Sequence, residues 1–196
     1  MSESGMIVLR PTPAPDVATV IITGVGRSGT SMAAAVIDAL GVPLGGGWQP
    51  GIYEDDQMRT AFYHFYHDMR ASTIARYNDR HARWGFKFPS IHRHMHPPET
   101  GQFRNPRLVV MHRDAVSVAC RARMDVSPVL AEQAAMAAFA DKVTCPVLMP
   151  SYEKALRYPK AFTAALAAFC GVRAPDIDGA AARVGDAAAY LRAAHE

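Results

Sequence analysis

Cysteine is scarce, and what there is falls into no recognisable pairing. The three residues, Cys120, Cys145 and Cys170, form no C-x-x-C pair, and an odd number is a poor disulfide framework. Free, buried thiols in a reducing compartment are the reading that follows. Long apolar runs are missing too: none approaches the roughly 20 residues that span a bilayer, so no membrane is expected. No basic run exceeds a couple of residues, and the formal net charge is only +3. That balance suits a small anionic ligand and argues against nucleic acid as a partner. The opening stretch "RPTPAPD" puts prolines ahead of any apolar run and reads as part of a flexible arm, 1–16, with Met6 to Leu9 loosely ordered, rather than as a signal peptide. The chain has 196 residues, of which 49% are hydrophobic, enough for one core. A single cytoplasmic domain over 17–196 is the expectation.

What is present starts with "VATVIITGVGRSGTSMAAAVIDALGV". Val17 to Thr23 is a β-branched run of the kind buried on both faces of a sheet. From Thr30 to Leu40 the apolar residues Met32, Ala33, Val36, Ile37 and Leu40 fall at helical spacing, with Gly41 and Pro43 as the stop. The glycine-rich turn thus lies between a strand and a helix, where backbone N–H groups form a nest for an anion. Gly24, Gly26 and Gly29 let the chain turn, and Ser28, Thr30 and Ser31 add hydroxyls. A nucleoside-triphosphate loop ends in Lys followed by Ser or Thr. Here Thr30 stands at the Lys position, and the only strong cation in the loop is Arg27. A single phosphate carrying a transferable group fits this loop better than a triphosphate with its metal.

Further along, Glu54 to Ile74 reads as one helix, with Met58, Ala61, Phe62, Phe65 and Met69 on its buried face and Tyr63 and Tyr66 free to line a pocket. Arg83 to Pro89, Arg107 to His112 and Val147 to Met149 read as strands. Ala115 to Met124, Ala131 to Val143, Pro159 to Cys170 and Ala180 to Ala194 read as helices, and Leu44 to Tyr53 as loop. Strands alternating with helices predict an α/β fold: a three-layer P-loop-type parallel sheet flanked by helices on both faces. "IHRHMH" sets His92, His94 and His96 at alternate positions, one face of a strand, but without a clear fourth metal ligand nearby. A substrate-lining or solvated loop is the preferred reading there, with no metal.

The loop "GVGRSGTS" resembles the 5′-phosphosulfate-binding loop of sulfotransferases that use 3′-phosphoadenosine 5′-phosphosulfate (PAPS). Other segments agree in order. "GIYEDDQM" is similar to their Gly-x-x-Glu-Asp stretch, "WGFKFPS" to their Gly-x-Lys-x-Pro-Arg strand, and "RLVVMHRDAVSVACR" to the segment that binds the 3′-phosphate. "SYEKALRYPKAFTAALAAFCGV" is similar to their Tyr-Glu-x-Leu ending. The likeness covers residues 17–172. It implies transfer of a sulfuryl group to a hydroxyl or amine of a small-molecule or glycan acceptor. It implies that Gly24, Gly26, Arg27, Ser28, Gly29, Thr30 and Ser31 hold the phosphosulfate, that Arg27 and Lys87 stabilise the leaving charge, and that Arg113 grips the 3′-phosphate. Glu54 is the candidate base for the acceptor, with His64 and His92 as rivals. The alternative for Glu54 is a helix-start carboxylate favoured by the dipole alone.

The chain departs from that pattern in places. A serine expected eight residues after Arg113 is Arg121, with Ser117 one turn earlier, so either can join the 3′-phosphate site. Ser90 replaces the arginine after the proline. The adenine-stacking Trp and the late Arg-Lys-Gly clamp are not matched, and the chain is short for the family. A cleft completed by a second copy, as a homo-oligomer, is one way to supply what is missing. A P-loop kinase with Asp114 as metal ligand, and a non-catalytic nucleotide-binding protein, are the competing readings.

Overall fold

The computed structural model describes residues 5–45 and 52–193. The first four residues of the expected arm, positions 46–51 of the expected Leu44 to Tyr53 loop (Gly51 included) and Ala194 lie outside the described residues. Strand β1 (Met6–Leu9) precedes β2 (Ala18–Gly24), β3 (Arg83–Lys87), β4 (Pro106–Met111) and β5 (Val147–Pro150). The helices are α1 (Thr30–Ala39), α2 (Asp56–Tyr63), α3 (His67–Arg80), α4 (Ala115–Ala122), α5 (Val126–Lys142), α6 (Tyr152–Arg157), α7 (Pro159–Cys170) and α8 (Ile177–Ala193).

One five-stranded sheet has the order β1-β5-β4-β2-β3. Every residue of β2 is buried, and the strand is parallel to both neighbours, with Ile21 level with Phe86 on one side and Leu108 on the other. Strand side chains alternate, as the pleat requires. Val20, Ile22, Val109 and Met111 join α1, α7 and α8 in one apolar cluster. Ile21, Leu108, Val110 and Val147 join α2, α3 and α5 in another, with Trp84, Phe86 and Phe88.

The sheet is not wholly parallel. Met6–Leu9, expected only as a loosely ordered part of a flexible arm, is an edge strand antiparallel to β5, with Met6 beside Pro150 and Leu9 beside Val147. The antiparallel direction brings Leu9 to the edge from which β2 starts, so residues 10–17 suffice as connection; a parallel β1 would need a crossover of a dozen residues or more. Arginines tie that connection down. Arg10 Nε donates to the Cys145 carbonyl at 3.0 Å, Arg83 to that of Pro15 at 3.0 Å, and Arg107 to that of Thr12 at 3.2 Å.

The single helix expected over Glu54 to Ile74 is two. Residues between α2 and α3 turn the chain, with Phe65 in the left-handed region at φ 54°. A straight helix of that length would run about 30 Å and carry Met58 and Ile74 apart; the break brings both into one cluster. It also changes the facing residues. Phe65 and Met69, expected in the core, are 56% and 38% exposed, while Arg70 is buried with its guanidinium 5.1 Å above the Phe62 ring. Cys120, expected as a buried thiol, is exposed; Cys145 and Cys170 are buried, and burial pushes the Cys170 thiol up to about 12.

Arg107 lies under the β1–β2 connection, its guanidinium 4.5 Å above the Phe169 ring. Arg107→Ala removes that packing and its hydrogen bonds to Thr12 and Pro13. The expected cost is about 1–3 kcal/mol in urea unfolding, with faster amide exchange in Met6–Leu9 than in β2.

Candidate functional site

The loop between β2 and α1 is built by its glycines and by one strained arginine. Gly24 has φ 151°, and a Cβ there would lie 2.6 Å from the Met111 carbonyl oxygen. Gly29 has φ 98°, and a Cβ there would meet the Tyr152 ring at 2.3 Å. Gly26 faces open space. Arg27 is exposed and adopts φ 68°, a conformation disfavoured for a residue with a side chain. The N-terminus of α1 has no side-chain cap and no acidic residue in its first turn. Its first N–H groups, which need acceptors, and its positive dipole end therefore face the loop without a side-chain cap. Ser28 is buried, and its hydroxyl has no hydrogen-bond partner among the described residues. Thr30 is buried and Ser31 half-buried.

A second cation enters from β3. Lys87 is only 4% exposed, and its Nζ donates to Ser31 Oγ at 3.0 Å and lies 3.1 Å from Glu54 Oε1. It points away from Phe86 and Phe88, which belong to the opposite cluster. Burial pushes the Lys87 ammonium down; Glu54 opposes that shift and Arg27 adds to it. Of the three acids in "YEDDQM", Asp55 does the capping. It accepts from the Met58 amide at 2.7 Å and from the Tyr77 hydroxyl at 2.5 Å. Glu54 precedes the cap and pairs with Lys87.

The end of β4 supplies Arg113. Its Nη1 donates to the Arg27 carbonyl at 3.2 Å, and its guanidinium stacks 4.5 Å above the Tyr152 ring. Asp114, the metal ligand of the competing kinase reading, caps α4, accepting from the Ser117 amide at 2.8 Å. Ser117 and Arg121 follow one turn apart on α4, both half-buried. Arg113 itself precedes the helix, so the three do not form one helical face.

The histidines lie on a 3₁₀ turn (Ile91–Arg93) and the chain after it, so they do not share the face of a strand. Among the described residues no group of three His, Cys, Asp or Glu side chains is placed to hold a metal ion. His92 Nε2 lies 3.3 Å from Glu132 Oε1, outside hydrogen-bonding alignment, and His94 sits edge-on to Tyr63 and Phe88. His64 is exposed at the C-terminal end of α2.

Three residues escape sequence reasoning. Tyr152 backs both Gly29 and Arg113, Gln133 Nε2 donates to the Arg113 carbonyl at 2.7 Å, and Glu132 holds Arg93 at 2.9 Å. The Tyr-Glu pair in "SYEK" is the one local signal among them. Glu132 and Gln133 look like any polar pair on a helix. No family model matches the chain, and no curated protein matches it.

Two outcomes follow from this geometry. Gly29→Ala forces a Cβ into the Tyr152 ring at positive φ and should cost about 1–3 kcal/mol, whereas Gly26→Ala should leave thermal stability within about 0.5–1 kcal/mol of wild type. Burial also pushes His92, His94 and His112 below their ordinary value of 6.5. Below that pH the unfolded chain binds more protons than the folded one, so stability is full above about 6.5 and falls as pH drops through it. Melting temperature should decline from pH 7.5 to 5.5, before carboxylates titrate, and His112→Gln should flatten the decline.

Proposed function

We propose that the protein is a small sulfotransferase. The observation that carries this reading is the position of Lys87. A loop with Thr30 where a triphosphate loop has its lysine receives a buried ammonium from the neighbouring strand, touching the loop hydroxyl of Ser31. The group to be held fits the residues present. An uncapped helix start, the orphaned Ser28 hydroxyl and two cations, Arg27 and Lys87, suit a phosphosulfate. Arg113, with Ser117 or Arg121 beyond it, would take a second phosphate. The two apolar clusters on alternate strand residues are what a three-layer P-loop-type sheet would have.

Bound there, PAPS supplies a sulfuryl group to an acceptor hydroxyl or amine, the sulfur–oxygen bond to the 5′-phosphate breaking as the new bond forms. Arg27 and Lys87 neutralise the charge that collects on the departing phosphate oxygen, the task that magnesium performs in phosphoryl transfer. Arg27 cannot yield its proton, so its help is electrostatic. Lys87 turns from Glu54 toward that oxygen, and Glu54 is then free to accept the proton of the attacking group. In the kinase reading Asp114 would have to hold a metal with the carboxylate that caps α4.

The test is calorimetric titration with adenosine 3′,5′-bisphosphate, the desulfated product, against ATP-Mg and AMP. The bisphosphate should bind best, with affinity reduced about tenfold or more in Arg27→Ala and Lys87→Met, as expected for charged hydrogen bonds. A preference for ATP-Mg overturns the reading. Turnover separates a transferase from a nucleotide-binding protein: Glu54→Gln should lower kcat about 10²-fold or more, well beyond any loss of bisphosphate affinity.

A further inference from the structure

We propose that Glu132 and Gln133, neighbours on α5, are positioning residues that hold the two rims of the Gly24–Gly29 loop. The proposal rests on the nucleotide reading only for what the loop binds. Strand β2 lies between β3 and β4 in the sheet, so its loop leaves between two other strand ends. Beyond the ladder pairing of Gly24 with Met111, each of those ends adds a hydrogen bond to the loop. The Ser90 amide, beyond β3, donates to the Gly24 carbonyl at 2.9 Å. Arg113, beyond β4, donates to the Arg27 carbonyl at 3.2 Å. The middle of the loop, Gly26 and Arg27, is exposed, so its shape depends on these rims.

Neither rim is held by regular structure alone. Ser90 adopts φ 54°, and such a residue stays there only where its surroundings impose it. Glu132 is placed to impose it. Its carboxylate takes Arg93 Nε at 2.9 Å and a second Arg93 nitrogen, and the Arg93 amide donates back to the Ser90 carbonyl at 3.0 Å. Burial pushes Glu132 up, but the shift is downward overall, with the Arg93 guanidinium hydrogen-bonded to the carboxylate as the main cause. On the other side Gln133 Nε2 donates to the Arg113 carbonyl at 2.7 Å. Consecutive helical residues point about 100° apart, so adjacent positions reach opposite rims. The helix that carries them is fixed in turn, because Met136, Phe139 and Ala140 are buried in the cluster beneath the sheet. One helix thereby sets the spacing of the strand ends on either side of the loop.

The experiment is amide hydrogen exchange over residues 18–31, read with melting temperature and bisphosphate titration, for Gln133→Met, Glu132→Ala and the milder Glu132→Gln. Gln133→Met keeps the volume and removes the donor. Loop amides at 25–29 should exchange about fivefold faster in Gln133→Met and about tenfold faster in Glu132→Ala, with β2 amides unchanged, and bisphosphate Kd should rise by similar factors. Glu132→Gln, which keeps hydrogen bonding but loses the charge, should fall between wild type and Glu132→Ala. Loop exchange indistinguishable from wild type in Gln133→Met and Glu132→Gln overturns the proposal. So does acceleration spread equally over β2 and the loop, which would mark an ordinary loss of stability. If wild type fails to bind the bisphosphate while the loop alone loosens in the variants, the brace stands and the sulfotransferase reading falls.

Discussion

A buried ammonium cannot stay charged without partners, and Lys87 has two: the Ser31 hydroxyl and the Glu54 carboxylate. The meeting of β3, α1 and the start of α2 depends on that requirement. Strand β3 must lie beside β2 so that Lys87 reaches the first turn of α1. The chain entering α2 must cross the end of β3 so that Glu54 meets Lys87, and Asp55, next in sequence, then caps the helix. The two contacts of Lys87 join a strand, the start of α1 and the chain ahead of α2, segments far apart in sequence. Removing either charge leaves the other at least partly desolvated, which makes the pair a constraint on the local fold as well as a chemical resource.

The glycine loop is shaped from behind. Tyr152 fills the space that a side chain at Gly29 would need and supplies the face on which Arg113 stacks. An aromatic ring there does two things that an aliphatic residue would not: it sets the position of a guanidinium through cation–π attraction and keeps the turn narrow. Its amide donates to the His112 carbonyl at 2.7 Å, so the ring's place is tied to the end of β4. The loop, β4 and the start of α6 therefore behave as one unit.

The fold was largely legible, for local reasons. The β-branched run of β2, the helical spacing of α1, and the Pro start and Gly stop of α7 are each written within a dozen residues. The misreadings share a cause. Met6–Leu9 becomes a strand only because β5 offers an edge and arginines from β3 and β4 hold the connection. The helix from Glu54 breaks because both Met58 and Ile74 are needed in one cluster, a demand that periodicity within the segment does not contain. The same unbroken periodicity would put Phe65 in the core, and residue type alone would bury Cys120; both are exposed.

By itself the sequence determined the loop: its glycines, its lack of a terminal lysine, its single Arg27, and its setting between a buried strand and an amphipathic helix. Those features depend on bonds and torsions between near neighbours. The tertiary structure decided which distant side chains serve that loop. Lys87 reaches Ser31 across 56 positions, Gln133 reaches Arg113 across 20, and Glu132 reaches Arg93 across 39. Such pairs are set by strand order and helix packing. No pattern of spacing along the chain encodes that.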